Sequence, residues 1–321
     1  MTPNLTPQEL EFINNLKDPL WRLSNLYKIT DKDKKVVTFK PNAAQKKLFE
    51  DMHTRNVIPK ARQRGLSTGI QILMLDSALF SKNFTGKVTA QDKDAATAIF
   101  RDKIKFAYDL LPELIRDQKK LLKNTETELI FSNGSSITVS TSARSGTVSM
   151  LHISEFGKIA AEYPAKAKEI ITGSIPAVPM SGRIFIESTS EGAEGAFHEM
   201  VQRAMVFKES GKRLSNLNFK LHFFSWWDAD EYQLGEEEEI VITKEDKEYF
   251  EQLEGIINQP ISLSRRKWYV ATRNEFGSQE LMWQEYPSTV EEAFKRSLEG
   301  TYFKAILYML PSNYRRLSET Y

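Results

Sequence analysis

A ten-residue segment, KARQRGLSTG from Lys60 to Gly69, has the residue types of a phosphate-binding loop. The pattern nearest to it is G-x-x-x-x-G-K-[ST], in which backbone amides surround a phosphate and the lysine reaches the outer phosphates. With the pattern aligned on Gly65 and Ser67, Leu66 stands at the lysine position and Lys60 at that of the first glycine. A phosphate site here therefore needs its cation from elsewhere in the loop.

Basic side chains around the turn can supply that cation. Lys60, Arg62 and Arg64 flank or enter the loop, and the helix expected after it presents free N-terminal amides to an anion. Ser67 stands where the pattern has a magnesium-binding hydroxyl. An ordinary basic turn before a helix would have the same composition. The predicted nucleotide-binding residues of this segment are Lys60, Arg62, Gln63, Arg64, Gly65, Leu66, Ser67 and Thr68.

A second candidate is the acidic residue of the segment MLHISEF. Glu155 follows a largely apolar run, which places it at the C-terminal end of a strand, where ligands bind to parallel sheets. Nucleotide hydrolysis needs a carboxylate there to activate water, and usually another that holds magnesium through water. Ser154 stands at the position of that second acid. We therefore interpret Glu155 as a general base, although a structural role at the end of a buried strand is the alternative.

Two further segments add polar side chains. In ESTSEG, the hydroxyls of Ser188, Thr189 and Ser190 can hydrogen-bond the attacking water and the glutamate, or else form a turn that caps the next helix. Gln45 lies on a helix before the loop. Its amide is a candidate contact for adenine, and an ordinary surface glutamine is the alternative.

The elements that position these residues alternate between strand and helix. Strands are expected at NVIPKA, GKVTAQ, SMLHIS and GRIFIESTS with helices between them, and Asn133-Gly134 indicates a hairpin. This alternation predicts an α/β fold with a mostly parallel sheet flanked by helices. One residue is unfavourable, because Pro59 removes a hydrogen-bond donor from a strand that should be central.

The chain divides by composition into four predicted segments. Residues 1–40 form an N-terminal helical arm that starts with a capping box of Thr6 and Glu9, and residues 41–227 form the core. Residues 228–298 are acidic and turn-rich at first and then contain two amphipathic helices, which predicts a small helical lid subdomain. Residues 299–321 are expected to begin a linker.

Composition excludes several classes of site. The 321 residues include no cysteine, so disulfides, zinc-thiolate sites and cysteine nucleophiles are ruled out. The chain has 44 basic and 43 acidic residues, a balance that neither requires nor excludes nucleic acid. No secretory signal or membrane-spanning segment is evident, so we expect a cytoplasmic protein without a membrane partner.

In this order and spacing, the motifs resemble the ATPase part of the large terminase subunit of tailed bacteriophages, the motor that packs DNA into capsids. The segments that carry the resemblance are PNAAQKKL, KARQRGLST, MLHISEFGK, ESTSEGAEGAFHEM and WQEYPSTVEEAFKRS. A displaced loop lysine is a familiar variant in this family, which supports Lys60 or Arg62 as the phosphate cation. Ser154 departs from the commoner acidic residue.

The resemblance implies a P-loop ATPase of the additional-strand, catalytic-glutamate class that hydrolyses ATP with Mg²⁺ to move double-stranded DNA into a procapsid. Ser67 and Glu155 would lie at the metal, and Ser188 to Ser190 would couple hydrolysis to movement. The implied partners are DNA, a portal protein, the small terminase subunit and further copies of the chain in a ring, in the cytoplasm of an infected bacterium. Some similar motors place an arginine before the glutamate strand, facing a neighbouring subunit. Arg144 is the candidate here, and a surface loop arginine is the alternative.

The family normally has a C-terminal nuclease domain, but few residues follow EEAFKRS, so no nuclease activity is expected from this chain. Two alternatives to a packaging motor stay open. One is a helicase-like ATPase that acts on nucleic acid, and the other is a nucleotide-binding scaffold without turnover. The scaffold is an alternative because Leu66 and Ser154 both depart from the common motifs.

Overall fold

The computed structural model describes residues 6–139 and 146–295. They divide into two compact units. The first unit extends to Thr189 and resumes over Gly195–Phe224, and the second comprises Ser190–Glu194 and the chain from Ser225 on. The chain thus passes from one unit to the other within the serine- and threonine-rich segment after Ser188.

The first unit opens with short elements before the phosphate-binding segment. Its capping box of Thr6 and Glu9 is present, as predicted. A second capping box, of Asn42 and Gln45, starts the third helix. The elements of this part are α1 (Pro7–Asn15), α2 (Pro19–Asn25), a hairpin of β1 (Lys28–Thr30) and β2 (Val36–Thr38), and α3 (Ala43–Asp51).

The centre of the first unit is a sheet that, in the described part of the chain, has eight strands in the order β10–β3–β9–β8–β4–β7–β6–β5. Neighbours from β10 to β7 are parallel, and β7–β6–β5 are antiparallel. The hairpin predicted at Asn133-Gly134 joins β6 to β7. The strands are β3 (Arg55–Pro59), β4 (Thr85–Thr89), β5 (Leu121–Asn124), β6 (Glu128–Phe131), β7 (Ser136–Val139), β8 (Met150–Ser154), β9 (Arg183–Ser188) and β10 (Lys220–Leu221).

Strand order confirms the predicted class. Strand β3 leads into the phosphate-binding segment and β8 leads to Glu155, and β9 is inserted between them. An additional strand between these two is the feature for which the class is named. All three strands are parallel, so their C-terminal ends meet at one edge of the sheet.

Helices cover the sheet, and its central strands β3, β8 and β9 are almost entirely buried. The helix after the phosphate-binding segment, α4 (Leu66–Phe80), is buried along most of its length. The helical stretch that Asp92 caps is interrupted after Ile99 by a π-helical segment, Phe100–Lys105. The remaining helices of this unit are α5 (Lys93–Ile99), α6 (Phe106–Asp109), α7 (Glu113–Gln118), α8 (Phe156–Glu162), α9 (Pro164–Glu169) and α10 (Ala196–Glu209), and a second π-helical segment, Ile170–Ser174, follows α9.

The N-terminal residues pack into the core of the first unit. The guanidinium of Arg22 donates to both carboxylate oxygens of Asp76 on α4, at 2.9 and 2.7 Å. The Tyr27 hydroxyl donates to the same carboxylate at 2.7 Å. All three side chains are buried, so the charge of Asp76 is compensated inside the fold.

Pro59 is tolerated in β3 because the backbone N–H that proline lacks would point towards the edge strand β10. Its carbonyl accepts from the amide of Phe224, on the side of β10. The amide and carbonyl of one strand residue point the same way, so a donor at this position would also face β10. Strand β10 is the short edge strand, with two residues, whereas β9 on the other side keeps its ladder through the Lys60 amide and Ser188 carbonyl.

The second unit is helical where the structure describes it. The two predicted helices are present as α11 (Lys244–Ile257) and α12 (Leu263–Phe276), followed by α13 (Gln279–Glu285) and α14 (Val290–Ala293). Stacked aromatic rings form its core, among them Trp226 against Trp268 and Tyr232 against Trp268. No helix among the described residues of either unit has the length and apolar content needed to cross a membrane.

Candidate nucleotide-binding site

The phosphate-binding segment forms a tight loop between β3 and the N-terminus of α4. Gln63 and Gly65 have positive φ angles of 56° and 71°. Gly65 is the N-cap of α4 and has no side chain with which to cap the first amides. A Cβ atom on Gly65 would also lie 3.0 Å from the side-chain nitrogen, Nε2, of Gln45. The loop thus needs a glycine here, and it leaves the helix N-terminus open to an anion.

Other residues of the predicted set differ in their exposure. Leu66 packs in the hydrophobic core, which explains why an apolar residue is tolerated at the lysine position. Arg62 and Gln63 are exposed, Arg64 is buried, and Thr68 is partly buried.

Gln45 braces the loop in this structure. Its side-chain nitrogen donates to the carbonyl of Gly65 at 2.7 Å, and its side-chain oxygen accepts from the Asn42 amide at 2.8 Å. The adenine contact suggested for Gln45 stays a prediction.

Lys60 lies between two carboxylates. Its ammonium nitrogen is 3.2 Å from Glu155 Oε1 and 3.2 Å from Glu187 Oε2. Burial alone would lower the pKa of Lys60, but the two carboxylates outweigh burial and raise it above its usual value. Lys60, one of the two cations predicted to replace the loop lysine, is thus charged and held at the C-terminal ends of the three central strands.

Glu187, the next-to-last residue of β9, is the most important site residue that the sequence did not reveal. Its side chain is 0 % exposed. Oε1 accepts hydrogen bonds from Ser67 and Ser154, each at 2.7 Å, and lies 3.4 Å from His152 Nε2. Burial raises the pKa of Glu187, but Lys60, His152 and Ser67 together outweigh burial and hold that pKa well below its usual value. A buried carboxylate anion therefore lies beside the hydroxyl of Ser67.

Glu155 has an unfavourable backbone conformation for its residue type. It is the N-cap of α8, with φ 55° and ψ 47°, a left-handed conformation that costs a residue with a Cβ atom about 1–2 kcal/mol. Its side chain is 39 % exposed, in contrast to that of Glu187. Besides Lys60, it contacts Ser188, whose hydroxyl donates to Glu155 Oε2 at 3.3 Å. Strain of this kind is typical of functional sites, where the surrounding structure holds a side chain in place.

The serine- and threonine-rich segment is divided between the two units. Ser188 and Thr189 belong to the first unit and Ser190 to the second. Within the second unit, the Ser190 hydroxyl donates to the carbonyl of Gln284 at 3.3 Å. Of the three predicted hydroxyls, Ser188 is thus the one that the structure brings into contact with Glu155.

One predicted residue, Arg144, lies outside the described residues. The sequence-based site also omitted Lys103, in the π-helical segment Phe100–Lys105. Burial lowers the pKa of Lys103, and the charges of Glu187, Lys60 and Glu155 act on it too, so its ammonium lies within their electrostatic range. Lys103 lies in none of the sequence motifs named above, so no sequence signal marked it.

The donor set suits a magnesium–nucleotide complex. Mg²⁺ prefers oxygen ligands and usually binds through one or two carboxylates together with substrate phosphates. Ser67, Glu155 and Glu187 provide a hydroxyl and two carboxylates around the loop, and Glu187 Oε2 accepts no well-aligned hydrogen bond from any described residue. Among residues 6–139 and 146–295, no group of three or more His, Asp or Glu side chains could hold a metal ion by itself. These residues thus fit a metal that arrives with phosphate.

Comparison with solved structures identifies the fold. The large terminase ATPase domain of Thermus phage P74-26 matches with a TM-score of 0.52 and 17% sequence identity, over 78% of this chain and 94% of that domain. The large terminase of bacteriophage HK97 matches with a TM-score of 0.54 and 11% identity, over 85% of this chain. The match spans 54% of the HK97 protein, about half its length.

Comparisons of sequence add nothing further. No family model matches the chain, and no curated protein matches its sequence. At these identities the structural matches define the fold, which is the one that the motifs predicted: the chain has the fold of the ATPase domain of a bacteriophage large terminase.

Proposed function

We propose that this chain is a magnesium-dependent ATPase that moves double-stranded DNA into a viral procapsid. The observation that carries the proposal is the contact geometry of Glu155. Glu155, strained and partly exposed at the end of β8, contacts Lys60 and Ser188. Lys60 also contacts Glu187, which accepts a hydrogen bond from Ser67 in the first turn of α4. Such a combination supports phosphoryl transfer to water.

In this proposal Glu155 is the general base. Its carboxylate is partly exposed and can meet bulk water, whereas the Glu187 carboxylate is buried among protein side chains. Glu155 takes a proton from the attacking water as the water oxygen bonds to the γ-phosphorus, and the bond to the leaving ADP oxygen breaks. General-base assistance of this kind contributes roughly 100-fold or more to a rate.

The phosphates would be held by the amides of residues 65–68 and by a cation of the loop, Lys60 or Arg62. Lys60 is already charged between two carboxylates at the strand ends, and Arg62 is exposed on the turn. Bound magnesium would neutralise charge on the phosphate oxygens, with Ser67 and Glu155 as its protein-side oxygens. Gln45 would contact adenine after releasing the Gly65 carbonyl.

Coupling of hydrolysis to movement would use Ser188, Thr189 and Ser190. Ser188 contacts the general base, and the chain reaches the second unit two residues later. A change at Glu155 on loss of the γ-phosphate would therefore reach the second unit through a very short stretch of backbone. Arg144 is the proposed arginine finger, supplied to a neighbouring subunit of a ring.

Packaging is favoured over other roles by the terminase fold. The proposed partners are double-stranded DNA, a portal protein, a small terminase subunit and other copies of this chain, in the cytoplasm of an infected bacterium. A helicase-like ATPase is the second candidate, since it would use the same hydrolytic site.

Measurement of ATP turnover by the purified chain tests the proposal. We expect slow hydrolysis by the chain alone, and stimulation by procapsids that carry a portal together with linear double-stranded DNA. Portal-free procapsids with the same DNA are the control. Stimulation by DNA alone, with no effect of the portal, would favour the helicase-like role. Nucleotide binding without turnover under every condition would favour a scaffold.

A further inference from the structure

We propose that Glu187 supplies, from the neighbouring strand β9, the carboxylate that position 154 lacks, and that it positions the Ser67 hydroxyl for the magnesium ion of a bound nucleotide. The inference rests on the proposed function, because it requires a magnesium–nucleotide at the loop. It makes Glu187 a positioning residue, distinct from the base Glu155.

Strand register explains how one strand can substitute for the other. Ser154 on β8 pairs directly with Glu187 on β9. Directly opposed side chains of neighbouring strands lie on the same face of a sheet. The Ser154 hydroxyl donates to Glu187 Oε1 at 2.7 Å. Ser154 thus holds the Glu187 carboxylate and does not itself take over the role of the missing acid. The carboxylate lies on the neighbouring strand, at the register position directly opposite Ser154.

The contact with Ser67 gives that carboxylate a role. Ser67 is the residue that the loop pattern assigns to magnesium, and its hydroxyl donates to Glu187 Oε1 at 2.7 Å. A hydroxyl that donates its proton to a carboxylate directs its lone pairs elsewhere and becomes a better metal ligand. Groups that orient a metal ligand in this way typically change metal affinity about 10- to 100-fold when they are removed.

The second oxygen of Glu187 points to a ligand as well. Oε2 is fully buried, lies 3.2 Å from Lys60 Nζ and accepts no well-aligned hydrogen bond among the described residues. Buried carboxylate oxygens are normally hydrogen-bonded. In this proposal, a water molecule of the magnesium ion that arrives with nucleotide donates to Oε2, beside the Lys60 ammonium.

A purely structural alternative is that Glu187 serves only as a counter-ion for Lys60. The two roles differ in what they predict for magnesium. A counter-ion affects nucleotide affinity equally with and without the metal, whereas a positioning residue affects only the gain in affinity that magnesium produces.

The test measures binding of a fluorescent ATP analogue to the full chain, in excess Mg²⁺ and in EDTA. The ratio of the two dissociation constants is the magnesium gain. We expect Glu187→Gln to reduce that gain by about tenfold or more while the affinity in EDTA changes little. Glu187→Asp keeps the charge beside Lys60 and hence the fold, but its shorter side chain withdraws from Ser67, so the gain should fall here too.

Relocation of the carboxylate is the decisive comparison. Ser154→Asp combined with Glu187→Gln returns the acid to the usual position, and we expect it to restore most of the magnesium gain. Ser154→Asn with Glu187→Gln is the matched control, with the same shape and no charge, and it should restore nothing.

Two results would overturn the inference. An unchanged magnesium gain in Glu187→Gln and Glu187→Asp, with normal binding by the wild-type chain, would refute it and leave the proposed function intact. Equal behaviour of the aspartate and asparagine double variants would refute relocation of the carboxylate. A wild-type chain that binds no nucleotide would instead overturn the proposed function, and this inference with it.

Discussion

Replacement of Lys60 by methionine removes the positive charge between Glu155 and Glu187 while it nearly conserves side-chain volume. Lys60 is 5 % exposed and Glu187 is 0 % exposed. Without Lys60, the Glu187 carboxylate would therefore be a buried charge without its counter-ion. Loss of one member of a buried ion pair costs about 3–5 kcal/mol of folding free energy. The half-exposed Glu155 adds little to that cost, because water solvates it.

The direction of the pH dependence follows from Glu187. In the wild-type protein its lowered pKa gives stability that is present above the unfolded-state pKa and is lost as pH falls. Without Lys60, burial would raise that pKa, so the folded variant would take up a proton and gain stability as pH falls. The difference in unfolding free energy between the two proteins should therefore be largest near pH 8 and should narrow towards about pH 5.

Urea unfolding followed by circular dichroism at several pH values measures this difference. Arg62→Met, at an exposed position two residues away, is the matched control and should change stability by less than about 0.5 kcal/mol. If Lys60→Met and Arg62→Met were equally stable at every pH, the reasoning about the buried ion pair would be refuted.

Three further predictions concern the fold around the site. Burial lowers the pKa of His222 to about 4, so His222 stabilises the fold above about pH 6.5 and this stability is lost as pH falls to about 4. The unfolding free energy of His222→Gln should therefore fall by about 2 kcal/mol less than that of the wild type between about pH 7 and pH 5, and an identical pH dependence would contradict this. Asp76→Ala leaves the Arg22 guanidinium buried and unpaired and should destabilise by about 3–5 kcal/mol in urea unfolding, whereas a loss below about 1 kcal/mol would mean that water replaces the carboxylate. Gly157→Ala would place a Cβ atom 2.6 Å from the Thr189 carbonyl oxygen, so it should destabilise by about 1–3 kcal/mol and lower ATP turnover, and wild-type behaviour in both assays would refute the close approach.

Local sequence signals predicted most of the elements. The capping box of Thr6 and Glu9, the Asn133-Gly134 turn and the alternating strand and helix segments depend on residues near each other in the chain, and the structure has them where they were expected. The π-helical interruption at Phe100–Lys105 was not predicted, because its residues keep the apolar spacing of an ordinary helix.

The site was predicted less completely because its contacts join distant strands. Glu155 was identified because it follows a strand. Glu187 was not, because the functional interpretation of that segment rests on the hydroxyl residues directly after it. The importance of Glu187 depends on the insertion of β9 between β3 and β8, and strand order is not a local property of the sequence. Lys60 was predicted as a phosphate cation, and its position between two carboxylates became visible only once that order was known.

ATP binding and hydrolysis by Glu155→Gln show whether Glu155 activates water at a nucleotide site. Glutamine keeps the shape of the side chain and removes the base. We expect nucleotide affinity to stay within a few-fold of the wild-type value while turnover falls roughly 100-fold or more. Turnover close to that of the wild-type chain, measured in the same preparation with nucleotide bound, would contradict this expectation.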